Sequence, residues 1–236
     1  MSSTHFYIHS QNRLNPFESP ATSSIKLNRG IEAGLAELSF FSMPNTWYNI
    51  TSKNNTFILD AGTITLDAGC YDLTQLLTEI QSLLPAGTTV LYNDVLNKVQ
   101  ITFTSAHILD FSQGNFWKVI GFLPQAYPSG TVFVSSYPPK IYTSMLILKT
   151  NMAANIMSHV GNATFVIPVN VNKGELLQFY NRSQFASRPK VNNNNLYRLD
   201  LVLCDENENV LEGCGDYTAL IAICEKNNAT DHNLLR

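Results

Sequence analysis

Apolar and polar positions change their period along this chain, and the changes mark out its elements. From residue 24 the apolar residues come in short runs of β character, at 24–27, 35–41, 47–51 and 57–60. Asn28-Arg29-Gly30, Pro44-Asn45 and Asn54-Asn55 separate them with residue types that turns favour. The period then lengthens. Leu73, Leu76, Leu77, Ile80, Leu83 and Leu84 follow the i, i+3, i+4, i+7 spacing of one helix face. Asp72 can accept from the free N–H groups of the first turn, Gln75 completes a capping-box pattern, and Pro85-Ala86-Gly87 stops the helix. Strict alternation returns at 99–103, where Val99, Ile101 and Phe103 alternate with Gln100 and Thr102. With 89–92 and the linking Asn93-Asp94-Val95-Leu96-Asn97, it predicts a β-hairpin packed on that helix. A further apolar stretch at 108–111 leads into 115–122, a short helix capped by Gly121.

The remainder reads as strands, at 131–135, 142–148, 164–171, 176–181, 196–204 and 219–225, rich in Val, Ile, Leu, Phe and Tyr. In 196–204, Tyr197, Leu199, Leu201 and Leu203 share one face, with Arg198 and Asp200 on the other. Residues 1–23, with Asn12, Asn15, Pro16, Ser19 and Pro20 among a few apolar positions, read as an extended arm, and 226–236 as a polar tail. About eight to ten strands outside 61–123 are the number expected for two facing antiparallel sheets. The expected fold is therefore mainly β, a single jelly-roll barrel of residues 24–60 and 124–225 carrying an inserted small α+β subdomain at 61–123. No internal repeat at a fixed period points to a propeller or solenoid.

Composition narrows the function. Charged residues are 14% and hydrophobic ones 44% of the 236 positions, so the chain can bury a core and still present a largely neutral polar surface. A formal net charge of −3 and the lack of a Lys/Arg block argue against holding nucleic acid by phosphate neutralisation. The first ten residues show no basic-then-apolar leader, and no run approaches the roughly 20 apolar residues of a membrane span. The expectation is neither conventional secretion nor a transmembrane segment.

Candidate chemistry is sparse, and no catalytic or cofactor-binding set is expected. Cys70, Cys204, Cys214 and Cys224 lack a C-x-x-C pair and read as reduced thiols. His5, His9, His107, His159 and His232 are isolated in sequence, His107 having Asp110 as its nearest acidic neighbour. A triad could assemble only in space, since no nucleophile motif announces one. Asp205, Asn207, Asn209 and Asp216 occupy alternating oxygen positions of a calcium loop, but Val210 stands where such a loop needs glycine and Asp216 replaces the bidentate glutamate. The ordinary reading of 205–209 is a solvated hairpin turn. Asn-x-Ser/Thr triplets at Asn49, Asn54, Asn162, Asn181 and Asn228 are read as chance matches in a chain without a secretory leader.

Four stretches together resemble the penton (minor capsid, vertex) proteins of virophages and of Polinton-like and adintovirus-like viruses. They are the Leu14-Asn15-Pro16-Phe17 opening with Pro44-Asn45-Thr46-Trp47, Leu66-Asp67-Ala68-Gly69-Cys70-Tyr71 before the helix, the Ile120-Gly121-Phe122 close of 115–122, and Leu203-Cys204-Asp205-Glu206-Asn207. The resemblance implies a virion protein without catalytic residues, assembled inside the infected cell. Five copies would form a ring at each icosahedral vertex, with the major capsid protein of the same virus as partner. Candidate contacts are the arm, the Tyr137-Pro138-Pro139 turn and the 192–195 loop. A jelly-roll module that binds a receptor or glycan is the alternative, and a metal-dependent cupin is disfavoured because no histidine cluster is spaced for it.

Overall fold

β-branched and aromatic runs pair antiparallel throughout this protein, and which run pairs with which decides the architecture. The computed structural model describes residues 3–31, 34–152, 163–181, 190–191 and 196–225. It divides into two units, one drawn from residues 1–45 and 143–236 and the other from residues 46–142. The chain opens with β1 (Ser3–His9), a single 3-10 turn (Ser10–Asn12), β2 (Thr22–Ile31) and β3 (Gly34–Pro44). It then builds the second unit from β4 (Thr56–Leu59), β5 (Gly62–Thr65), α1 (Leu73–Leu83), β6 (Thr89–Asn93), β7 (Lys98–Asp110), α2 (Phe116–Ile120) and β8 (Ala126–Val134). It returns to the first with β9 (Met145–Thr150), β10 (Ala163–Pro168), β11 (Leu176–Tyr180), the two-residue β12 (Lys190–Val191), β13 (Leu196–Cys204) and β14 (Thr218–Glu225).

In the first unit the order is β1-β14-β3-β11 in one sheet and β10-β9-β13-β2 in the other, β12 adding to β3. Leaving β12 aside, first strand pairs with last, second with seventh, third with sixth and fourth with fifth. Four nested antiparallel pairs are one long hairpin, and rolling it up adds the contacts of β14 with β3 and β13 with β9. That is a jelly roll, as the strand count predicts. Alternation sends Leu38, Phe41, Met43, Ala219, Ile221 and Ile223 inward from one sheet and Ile25, Leu27, Leu146, Leu148, Leu199, Leu201 and Leu203 from the other.

Two boundaries differ from the sequence reading. Residues 3–9 begin the sheet: all seven residues of β1 pair with β14. The polar residues of 10–20 suggest an arm, but the Phe6-Tyr7-Ile8 run ahead of them is strand material with Ile8 buried. The second unit also reaches beyond 61–123 at both ends, because β4 pairs with β5 and β7 while β8 pairs along β7. The 47–51 run forms no strand apart from a bridge of Ile50 to Gly69. The expected 226–236 tail and 192–195 loop lie outside the described residues.

Within the second unit the sheet order is β5-β4-β7-β6, with β8 on β7. Leu76, Leu77, Ile80 and Leu84 of the α1 segment join Phe57, Phe103, Phe111, Phe116, Phe122 and Phe133 in one core. α1 starts as its sequence predicts: the Asp72 carboxylate accepts from Gln75 N–H at 2.8 Å, and the Gln75 side chain accepts from Asp72 N–H at 3.2 Å. α2 ends on Gly121 at φ 78°, where a Cβ would stand 2.0 Å from the Tyr137 carbonyl oxygen. Left-handed backbone and that close approach both require glycine.

Both tryptophans, Trp47 and Trp117, belong to this unit, so their fluorescence reports its unfolding alone. In urea titrations Gly121→Ala is expected to lower its stability by about 2 kcal/mol or more, from left-handed strain and steric overlap. Asp72→Ala, which removes only the cap, should cost about 1 kcal/mol. Equal midpoints for Gly121→Ala and wild type would contradict the packing described for the Tyr137 turn.

Candidate assembly surface

The outer face of the β1-β14-β3-β11 sheet carries an apolar row from edge to edge. The register aligns Tyr7 with Leu220, Leu220 with Phe40, and Phe40 with Tyr180. Tyr7 is 72% exposed and Tyr180 54% exposed, while Leu220 and Phe40 are half-buried between them. The Phe40 and Tyr180 rings lie 5.0 Å apart, and Leu176 extends the exposed apolar surface along β11. An antiparallel sheet facing water alone reads polar on that face.

A β-bulge creates the row. Along β3, Ala36 and Leu38 point inward, and strict alternation would send Phe40 inward too. The register slips at Leu220/Ile221, leaving Ser39 as the extra residue between Leu38 and Phe40. Beyond it Phe41 and Met43 are buried and Phe40 faces out. On β13 Tyr197 is 56% exposed while Leu199, Leu201 and Leu203 are buried.

The outer face of the other sheet is mixed: Met145 on β9 and Val166 on β10 are exposed, while the β13 and β2 side carries a polar cluster. Asp200 accepts from Ser24 Oγ at 2.6 Å, Arg198 Nε at 2.8 Å and Asn151 Nδ2 at 3.2 Å, and Lys149 pairs with Glu208 at 3.2 Å.

A polar lock fastens the chain start to the strand that ends the described part. Ser10 Oγ donates to Asp216 Oδ1 at 2.8 Å and accepts from Tyr217 N–H at 2.9 Å. Arg13 Nη1 donates to Asp216 Oδ1 and to the Ser10 carbonyl, at 2.8 and 2.9 Å. Partial burial pushes the Asp216 carboxyl up, but hydrogen bonds from Ser10, Gln11 and Arg13, with the Arg13 charge, outweigh it and hold the group below the usual carboxylate range. Burial pushes the Tyr217 hydroxyl up to about 12, its contact with Ser23 Oγ opposing the shift. The Tyr217 ring stacks on Phe41.

The four calcium-loop candidates divide between two tasks. Asp205 Oδ1 accepts from the N–H groups of Asn207 and Asn209 at 2.9 and 2.8 Å, and the Asn209 amide reaches the same carboxylate. With Glu208 at φ 64°, this is a tight turn between β13 and β14. Asp216 belongs to the lock. Among the described residues no three His, Cys, Asp or Glu side chains are grouped to hold a metal ion. None of the four cysteines is in a disulfide, Cys204 is buried, and burial pushes the Cys214 thiol up.

One cluster had no signal in sequence. His107 pairs with Asp60, 47 positions away, instead of with Asp110. Its Nδ1 meets Asp60 Oδ2 in a short hydrogen bond, and its Nε2 lies 3.1 Å from Ser105 Oγ. Asp60 Oδ1 accepts from Ile108 N–H at 2.7 Å. The Ile108 N–H and then the His107 ring hold the Asp60 carboxyl below its ordinary value. His159 and His232 fall outside the described residues.

Both ends of the pH scale test the lock. Asp216 titrates lower in the folded protein, so its stabilisation is present above the unfolded carboxylate value and is lost as pH falls through the folded one. Asp216→Asn should cost about 1–2 kcal/mol at neutral pH, a charge-assisted bond discounted for solvent, and flatten the acid limb. Tyr217 titrates higher, so its stabilisation is complete below 10.0 and lost as pH rises towards about 12. Tyr217→Phe should flatten the alkaline limb, read by circular dichroism.

No family model matches the chain, and no curated protein matches it. Among solved structures, a crystal structure of the mavirus penton protein aligns over 94% of this chain and 98% of its own length, with a TM-score of 0.51 and 11% identity. The Sputnik virophage structure determined by cryo-EM aligns over 94% and 97%, with a TM-score of 0.45 and 12% identity. At such identity the likeness is one of fold, and this chain shares the mavirus penton fold along nearly its whole length.

Proposed function

We propose that this protein is a structural subunit of a virus capsid, and that it acts as the penton, five copies forming a ring at the vertex. The observation that carries the reading is the apolar row Tyr7–Leu220–Phe40–Tyr180 across the outer face of one sheet of a jelly roll. A ring joins one face of each copy to a different face of its neighbour, and the apolar row supplies one such face. Contact cores are enriched in tyrosine and phenylalanine and depleted in charge, as this row is. The likeness to the mavirus penton protein, end to end, supports the capsid role.

The major capsid protein of the same virus is the second partner in this reading, and the virion, assembled inside the host cell, is where the protein resides. The net charge of −3 gives no basis for gripping a genome. No helix among the described residues is long and apolar enough to cross a membrane. A structural subunit needs no catalytic residue for this role.

Light scattering over a range of concentration and salt is expected to give the mass of five chains. Tyr7→Lys with Tyr180→Lys, both at exposed positions, should reduce that mass to one chain with unchanged circular dichroism. A discrete mass of two or three chains would overturn the five-fold assignment and favour a receptor- or glycan-binding module. Five-chain particles from the double variant would remove the apolar row from the contact.

A further inference from the structure

In the second unit, Ser105, His107 and Asp60 stand in the order of hydrogen bonds that activates a serine. A carboxylate can only accept, so its bond to Nδ1 places the imidazole hydrogen there and leaves Nε2 free to accept from Ser105 Oγ. The Ser–His contact alone is weak evidence, because residues two apart on a strand share a face. Ser3 and His5 on β1 make the same contact at the same 3.1 Å. Asp60 is the difference: among the described residues no carboxylate is bonded to the His5 ring.

The carboxylate is positioned. Asp60 and Ala61 form the two-residue turn between β4 and β5, both at positive φ, 48° and 70°. Asp60 is fastened to Ile108 twice, its N–H donating to the Ile108 carbonyl and its Oδ1 accepting from the Ile108 N–H. The His107 ring rests 4.7 Å from that of buried Phe103. Alanine in left-handed backbone is a strained choice for such a turn, where Asn-Gly is the relaxed one. Against β8, β7 advances from Thr102 to His107 while its partner moves only from Val132 to Gly130, so the segment holding Ser105 bulges out of the ladder.

We propose that Ser105 is a nucleophile activated by His107, with Asp60 as the positioning residue, and that this open site takes small activated carboxylic esters. Ser105 Oγ attacks the ester carbonyl carbon as its proton passes to His107 Nε2. The tetrahedral intermediate then collapses, the C–O bond to the leaving group breaks, and that group departs with the proton from the imidazolium. Water, deprotonated by the same nitrogen, attacks the acyl-serine; the Ser105 ester bond breaks, Oγ regains its proton, and the carboxylic acid leaves. No oxidant, metal or further reactant enters. Ser105 is exposed, so the acyl group meets little steric selection.

The test uses the full chain with 4-nitrophenyl acetate and a fluorophosphonate probe. General-base activation is worth about 10²–10⁴-fold, so Ser105→Ala and His107→Gln should each lower turnover at least about 10²-fold, while His5→Gln leaves it unchanged. Asp60→Asn keeps a residue suited to the turn but presents an amide that disturbs the imidazole tautomer, and should lower turnover similarly. The probe should phosphonylate Ser105, seen as a mass shift on its peptide, and His107→Gln should reduce labelling at least tenfold. Turnover equal in wild type and Ser105→Ala, or labelling of Ser105 that is absent or indifferent to His107, overturns the proposal.

Discussion

The pairing of the last described strand between the first and the third is the constraint on which the roll depends. β14 bonds to β1 through seven residue pairs and to β3 along its whole length. Its inward residues, Ala219, Ile221 and Ile223, sit at the middle of their sheet. Without it β1 has no partner and β3 loses one side. The lock of Ser10, Arg13, Asp216 and Tyr217 lies where the chain leaves β1 and enters β14, so it fixes the register of that pairing at one end. A one-residue slip would exchange every inward side chain for an outward one.

The same sensitivity explains the surface. A single extra residue, Ser39, divides β3 into two halves of opposite phase, so one strand fills the core with Leu38 and Phe41 while presenting Phe40 outside. Bulges re-aim side chains without a change of residue type.

What could be read from the chain was local. The Leu73 to Leu84 periodicity, the Asp72/Gln75 cap, the Asn93 to Asn97 hairpin connection and the Gly121 stop all rest on contacts within a few residues, and each forms as the pattern predicts. The jelly roll was accessible from strand count together with the penton-like stretches. The role of 3–9 was not, because a short apolar run looks alike whether it pairs or hangs free, and its partner lies more than two hundred positions away. The division at residues 46 and 142 depends on β4 and β8 both choosing β7. Side-chain direction beyond a bulge escapes a period-two reading, as at Phe40, two positions after buried Leu38 yet facing outward. The Asp60–His107 contact joins positions with no pattern between them.

The second unit occupies the connection between the third and fourth strands of the roll, β3 and β9. Closing a loop costs free energy only as the logarithm of its length, about 0.6 kcal/mol for each doubling. The cost of the long excursion of residues 46–142 therefore grows far more slowly than its length. Because β4 to β8 pair among themselves and the unit has its own core, its sequence can drift, lengthen or be exchanged under separate selection. The roll is in that sense a chassis, and the β3–β9 connection is its socket for evolutionary novelty.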